Sequence, residues 1–211
     1  MGIAERRERE KEQRRSDIVD AAERTFFSKG IAIATMDDVA EAAELSKGTL
    51  YLYFRNKEDL YLAIILRAIS VLQERFASAA NSQTKGLEKI EAIGRAYFSF
   101  YKDHPDYYNA MLFFESYIVD PDTDPGYGVE CANQSNKTFA ICAAAVQAGI
   151  DDGTIRADVD PMKTALTLYG LSTGLLQIIS IKGRMIEQNH GLNPEDLVDT
   201  FFDLIYKSLR S

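Results

Sequence analysis

The sequence predicts an all-α protein of about nine helices, and three observations carry that prediction. Apolar residues recur at helical spacing almost throughout, with no convincing run of strand alternation. The breaks between these runs hold helix stop and start signals, such as "SKG", "KDHP" and "DPMK". Near the N-terminus, two short runs are separated only by "ELS".

In order along the chain, Ile18, Ala22 and Phe26 form the apolar stripe of a first helix, which Gly30 ends at a position suited to the left-handed region. Thr35 caps a second helix, with Asp38 at capping-box spacing and Val39 and Ala43 facing inward. Ser46 caps a third, whose buried stripe is Leu50 and Phe54; Lys47, Gly48, Tyr51 and Tyr53 are left facing outward. Asn56 caps a long fourth helix, about Lys57 to Asn81, that "SQTKG" breaks. The fifth runs to "KDHP", where His104 helps end it and Pro105 forces a new start. The sixth ends at the loop "DPDTDPGYG", and a long seventh runs to "DDG". Asp160 with Pro161 starts the eighth, and Asn193 with Pro194 is expected to start the ninth in the same way. This layout divides into residues 1–60 and 61–211, the fourth helix leading from one domain into the other.

Composition excludes several classes. With 46% hydrophobic and 27% charged residues in 211, the chain is long and apolar enough to bury a substantial core. Two cysteines without CxxC spacing and two histidines argue against a structural zinc site or a disulfide framework, so no metal and no cofactor is expected. No HExxH, phosphate loop, nucleophile elbow or Cys/His cluster marks an enzyme. "MGIAERREREKEQRR" is too charged for a signal peptide, and the apolar run "ALTLYGLSTGLLQII" reads as too short and interrupted for a membrane span. The expectation is a cytoplasmic protein without a membrane partner.

Charge is unevenly placed. Residues 1–57 are balanced, so the whole net charge of -8 lies downstream, yet Leu45 to Lys57 carries Lys47, Arg55 and Lys57 and no acid. A polyanion can approach that face and is repelled by most others. Two helices joined by a three-residue turn, with small alanines allowing close packing, describe a helix-turn-helix. Gly48 costs a helix roughly 0.5–1 kcal/mol relative to Ala, which makes sense where another backbone must come close. Lys47 and Lys57 sit in first turns, where the macrodipole disfavours cations and a bound phosphate would reverse the penalty. Tyr51 and Tyr53 each offer a ring for a thymine methyl and a hydroxyl for a phosphate. On charge alone, a solvated helix end explains the same residues.

At "TMDDVAEAAELSKGTLYLYFRNKEDLYLAI", preceded by "IVDAAERTFFSKG", the chain resembles the TetR/AcrR family of bacterial transcriptional regulators. The motif covers about residues 14 to 65; downstream the likeness rests on layout and on "DHPDYY" and "DDGTIRADVDPMKTALTLYGLSTGLL". The resemblance implies a homodimer that reads a palindromic operator in double-stranded DNA. Thr35 and Ser46 would lie close to phosphates, Lys47, Gly48, Thr49 and Tyr51 would face the groove, and Tyr53 and Lys57 would hold phosphates. One departure is Glu44, where the family usually has glycine in the turn; a left-handed conformation there would cost about 1–2 kcal/mol. In the arm Arg6 to Arg15, glutamates interleave with basic residues as on a solvated helix.

Nine of the chain's 22 aromatics fall between Tyr97 and Tyr117, more than one stripe holds, so helices five and six face either two neighbours or a cavity. The resemblance implies a pocket there for a small apolar or aromatic effector, with Tyr97, Tyr101, Tyr108, Met111, Phe114, Glu115, Asn136 and Phe139 as its candidates. Leu168, Leu171, Leu175 and Ile178 form one apolar stripe near the C-terminus, and Val198, Phe202, Ile205 and Leu209 a second. These stripes face either their own core or, as the resemblance implies, a partner copy in a four-helix bundle. The expected function is a repressor released by its ligand. The alternatives are a ligand-dependent corepressor or activator, and a helical dimeric interaction protein without DNA binding.

Overall fold

The computed structural model describes residues 2–115 and 126–211, apart from the side chains of Ile3 and residues 113–115. Nine helices occur among the described residues: α1 Ile3–Lys29, α2 Met36–Ala42, α3 Lys47–Tyr51, α4 Lys57–Asn81, α5 Gly86–Asp103, α6 Pro105–Glu115, α7 Tyr127–Asp151, α8 Pro161–His190 and α9 Asp196–Leu209. The expected all-α class and helix order are observed. The loop after α6 and Tyr117 lie outside the described residues, as do the side chains of Phe114 and Glu115.

The chain forms two compact units. The first is Met1–Ala68 with Asp106–Asn133, and the second is Ile69–Pro105 with Gln134–Ser211. The unit that holds the helix-turn-helix is therefore larger than residues 1–60, because it also takes α6 and the start of α7. Side-chain bonds account for this. The Tyr107 hydroxyl donates to Glu23 at 2.9 Å and that of Tyr61 to the Ala110 carbonyl at 3.0 Å, so α6 is tied to α1 and α4. Arg67 adds ion pairs to Asp20 at 2.6 Å and Glu23 at 3.0 Å. The core of this unit is Ile18, Ala22 and Phe26 from α1, Val39 from α2, Leu50 and Phe54 around α3, and Leu60, Ile64 and Ile65 from α4, all buried.

Within the second unit, α5 crosses α7 at the closest approach that two backbones allow. A Cβ on Gly86 would lie 1.9 Å from the Gly149 nitrogen, so no larger residue fits. The crossing is held by Asp152, which accepts from the Gly86 N–H at 2.7 Å. Aromatics fill the rest: Phe98 lies 5.8 Å from Phe201 and 5.6 Å from Phe202, while Tyr97 meets Phe76 at 6.1 Å and Tyr169 at 5.7 Å. His104 ends α5, and its Nε2 lies 3.0 Å from the Arg75 guanidinium.

Two expectations need correction. Asn193 does not cap α9; its Oδ1 accepts from the Glu195 N–H at 3.1 Å and shapes a turn, so the helix begins three residues later at Asp196. The run around Leu171 is not short in the fold, because Pro161 to His190 is one unbroken helix, long and apolar enough by length and composition to cross a membrane. Its most apolar window has a mean hydropathy of 1.4, and only 22% of it is buried within the chain.

The turn between α2 and α3 keeps the left-handed conformation although its residue is not glycine: Glu44 has φ +55°. Its side chain is exposed. Glu44→Gly should therefore raise the free energy of unfolding by about 1 kcal/mol, the relieved strain less the added chain entropy. Urea denaturation of the two proteins checks this, and a less stable glycine variant would show that the turn is unstrained.

Candidate nucleic-acid interface

Helix α3 has five residues, and local chemistry defines both its ends. At its start the Ser46 Oγ accepts from the Thr49 N–H at 3.1 Å and lies 2.8 Å from the Thr49 Oγ1. Leu50 and Phe54 are buried, which turns Lys47, Gly48 and Tyr51 outward; Tyr51 is 45% exposed. A Cβ on Gly48 would meet only the Ser46 Oγ, at 3.9 Å. Its own fold does not require a glycine there, and the consequence is bare backbone on the outer face. Leu52, next along the chain, is 82% exposed, and Ile33, in the loop before α2, is 76% exposed. Sequence spacing missed both, because neither falls on a helical stripe.

Helix α2 is fixed by a reciprocal capping box. The Thr35 Oγ1 accepts from the Asp38 N–H at 3.2 Å, and Asp38 accepts from the Thr35 N–H at 2.8 Å. Lys29, donating at 2.7 Å, is the main cause that lowers the Asp38 carboxyl to about pKa 2, with Thr35 adding to it. Asp37, one residue earlier, pairs with Lys47 at 2.7 Å in the open and holds its ammonium pKa above the usual value.

Lys57 is placed differently from the expectation. Its ammonium is half-buried and donates to the carbonyls of Ile31 at 2.8 Å and Ala34 at 3.2 Å, closing the α1–α2 loop onto the start of α4. It is a structural cation first, and spacing gave no sign of this because both acceptors are backbone. Asn56 caps α4 through the Asp59 N–H at 2.7 Å. Asp59 itself is buried; burial works against its charge, but hydrogen bonds from Arg55 outweigh that and hold the carboxyl below its usual range. Behind α3, the Arg15 guanidinium lies 5.0 Å from the Phe54 ring and 4.9 Å from Tyr127, whose rings stack at 6.1 Å. Arg15 Nε also donates to the Tyr127 hydroxyl.

The remaining candidates fall in both units. Tyr108 is buried and Met111 half-buried in the first. In the second, Tyr97 is buried with its hydroxyl 2.9 Å from the Thr173 Oγ1, Tyr101 is half-buried, and Phe139 meets Tyr169 edge-on at 5.2 Å. Asn136 is exposed. Along α8 and α9, Leu171 and Ile178 are exposed, while Leu168, Leu175, Val198 and Ile205 are half-buried. Phe202 corrects the interface expectation. It is buried against Phe98 and under the Arg95 guanidinium at 4.5 Å, in a space kept by Gly94, whose Cβ would lie 2.7 Å from its ring. It belongs to the chain's own core. Among the described residues no three His, Cys, Asp or Glu side chains gather to hold a metal ion.

Residues 18–64 match the family model described as bacterial regulatory proteins, tetR family. The HTH-type transcriptional activator FasR of Mycolicibacterium smegmatis is 30% identical over 111 residues, which is 53% of this chain and 50% of that protein. The chain thus spans about half the length, or less, of the curated relatives it first matches. A TetR/AcrR regulator from Thermobifida fusca superposes with a TM-score of 0.73 at 24% identity, over 94% of this chain and all of that one. FadR of Bacillus subtilis, solved with stearoyl-CoA, gives 0.72 at 16% identity, over 92% and 99%. These two likenesses show the fold.

The two lysines should separate experimentally. Lys57→Ala leaves two carbonyls without their charged donor and should cost about 1–3 kcal/mol of stability. Lys47→Ala breaks only an exposed pair, so its melting transition should stay in place. Equal melting of both variants would remove the structural role assigned to Lys57.

Proposed function

We propose that the chain, whose residues 18–64 match the tetR-family model, is a DNA-binding transcriptional regulator of the TetR/AcrR family and not an enzyme: a cytoplasmic homodimeric repressor that a small, largely apolar molecule releases from a palindromic operator. The observation that carries this reading is the outer face of α3. Five residues present bare backbone at Gly48, an exposed tyrosine and an exposed ammonium, and their own fold needs none of the three. A helix at this position enters the major groove, where Tyr51 meets base edges while Lys47, Ser46 and Thr35 lie near phosphates. Lys57 supports the interface by holding the loop, and Tyr53 and Thr49 border it.

A partner copy explains the exposed apolar side of α8. Leu166, Leu171, Ile178, Ile181 and Met185 are all exposed on one chain, and a two-fold axis along this helix would bury them against their own counterparts. The same burial accounts for the hydropathy of α8 without a membrane. Half-buried Leu168, Leu175, Val198 and Ile205 would complete that interface.

The effector reading rests on the aromatic content of α5 to α7 and on FadR, a protein of similar fold solved with a long-chain acyl thioester. FasR is named an activator, so a ligand that recruits DNA is the second reading. A ligand moves the equilibrium only through different affinity for the DNA-bound and free conformations.

Selection of an operator from random duplexes tests the core of the proposal. Tyr51→Ala should then lower the preference for the selected sequence. Leu171→Glu with Ile178→Glu should give monomers that bind half-sites weakly. A parent protein without sequence preference, or a doubly substituted protein that still sediments as a dimer, would count against the respective part. For the effector, a coupling of about 1–3 kcal/mol corresponds to a 5- to 150-fold change, and linkage makes it reciprocal. Calorimetry with a long-chain acyl thioester should show weaker binding to the operator complex than to free protein. Equal affinity in both would exclude that class.

A further inference from the structure

Helix α1 begins at Ile3, fifteen residues before the part of the chain that the family model covers. Its first half buries almost nothing: residues 4–14 are all exposed. No core explains why this stretch is there, so its surface chemistry has to. Arg7, Lys11 and Arg14 fall at i, i+4 and i+7 and so share one face. Among the described residues, none of the three enters an ion pair. Two of the acids nearby are engaged elsewhere: Glu10 pairs with Arg6 at 2.8 Å, and Asp17 accepts from Gln13 at 2.9 Å.

A second observation gives this face a direction. A groove is lined on one wall by Arg7, Glu10, Lys11, Gln13, Arg14 and Asp17 and on the other by Tyr53. Tyr53 lies just beyond α3 in the chain. The cationic face therefore continues the surface that the α3 side chains begin, in a protein whose net charge is -8.

We propose that the Arg7–Lys11–Arg14 face of α1 is a second DNA-contact surface, which grips the phosphate backbone flanking the base pairs read by α3. The proposal rests on the DNA-binding reading above and adds to it a surface outside the helix-turn-helix. Seven residues of helix span about 10 Å, the axial length of roughly three phosphates on one strand. Three cations at that spacing match a phosphate row, and the Tyr53 hydroxyl supplies a neutral donor at the join. Because the arm is already helical, binding need not first order it. Phosphate contacts of this kind carry affinity and salt dependence without sequence information.

The test uses the full chain and its selected operator. Arg7→Gln, Lys11→Gln and Arg14→Gln together keep helix propensity while removing the charge. The slope of log affinity against log salt should become shallower by about 0.9 for each phosphate that the variant no longer neutralises, hence by up to about 2.7 per subunit. The preference among operator sequences should stay as in the parent. A second measurement needs no variant: the parent should bind a duplex carrying about ten flanking base pairs more tightly than one trimmed to the palindrome, and the substituted protein should gain much less. Equal salt slopes in a parent that does select its operator overturn the proposal and leave the face a solvated helix. Loss of binding to anionic lipid vesicles with unchanged DNA slopes would also overturn it, in favour of a membrane surface. A parent that selects no sequence would sink the DNA-binding reading itself, an outcome visible before any substitution is made.

Discussion

A helix of five residues cannot hold itself. One turn fixes several dihedrals for very few hydrogen bonds, so in isolation the segment Lys47–Tyr51 would be unfolded. Everything around it supplies the missing stability. Ser46 satisfies an orphan N–H at its start, and Leu50 anchors its inner face. Phe54 continues that anchor beyond the last turn and is clamped from behind by the Arg15 guanidinium and the Tyr127 ring. Lys57 then ties the following helix to the loop before α2. Rigid support of this kind sets the outer side chains before any partner arrives, which reduces the entropy a partner must overcome.

The second unit obeys a different constraint, space rather than length. Gly86 on Gly149 and Gly94 under Phe202 bring helices closer than any side chain would allow. The aromatic rings of α5, α8 and α9 then fill what remains on the inside. With Phe98, Phe201 and Phe202 committed to that interior, the opposite side of α8 is left to Leu171, Ile178 and Ile181. Such a row exposed to water needs another surface to cover it, and the two-fold copy proposed above would provide one of identical length and pattern.

Much of this was legible because it is written in local chemistry. The caps at Thr35, Ser46, Asn56 and Asp160 each need one polar side chain at a fixed offset, and all four make the expected bond. The left-handed turn at Glu44 was legible for the same reason. Assignments that depend on distant partners were not. Spacing put Phe202 on an apolar stripe without saying which side of α9 meets α5, and it made Lys57 look free because its acceptors are carbonyls 23 and 26 residues away. The division of the chain into units escaped for a related reason: α6 joins α1 and α4 through tyrosine hydroxyls, which no periodicity records.

The electrostatics of the α3 face follow from one exposed pair. Asp37 neutralises Lys47 in the free protein, so the acid-free segment read from the sequence is not acid-free in space. Both side chains are more than half exposed, and pairs of that kind contribute little stability because water and salt screen them. A phosphate arriving at Lys47 therefore displaces a weak partner. It also meets the Asp37 charge at close range, so attraction elsewhere must offset that repulsion. Cations that have no acid to satisfy are suited to that task, and Arg7, Lys11 and Arg14 on the exposed face of α1 are of that kind. On the proposed reading, a protein with a net charge of -8 would approach DNA in one orientation, with α3 and the arm together facing the backbone.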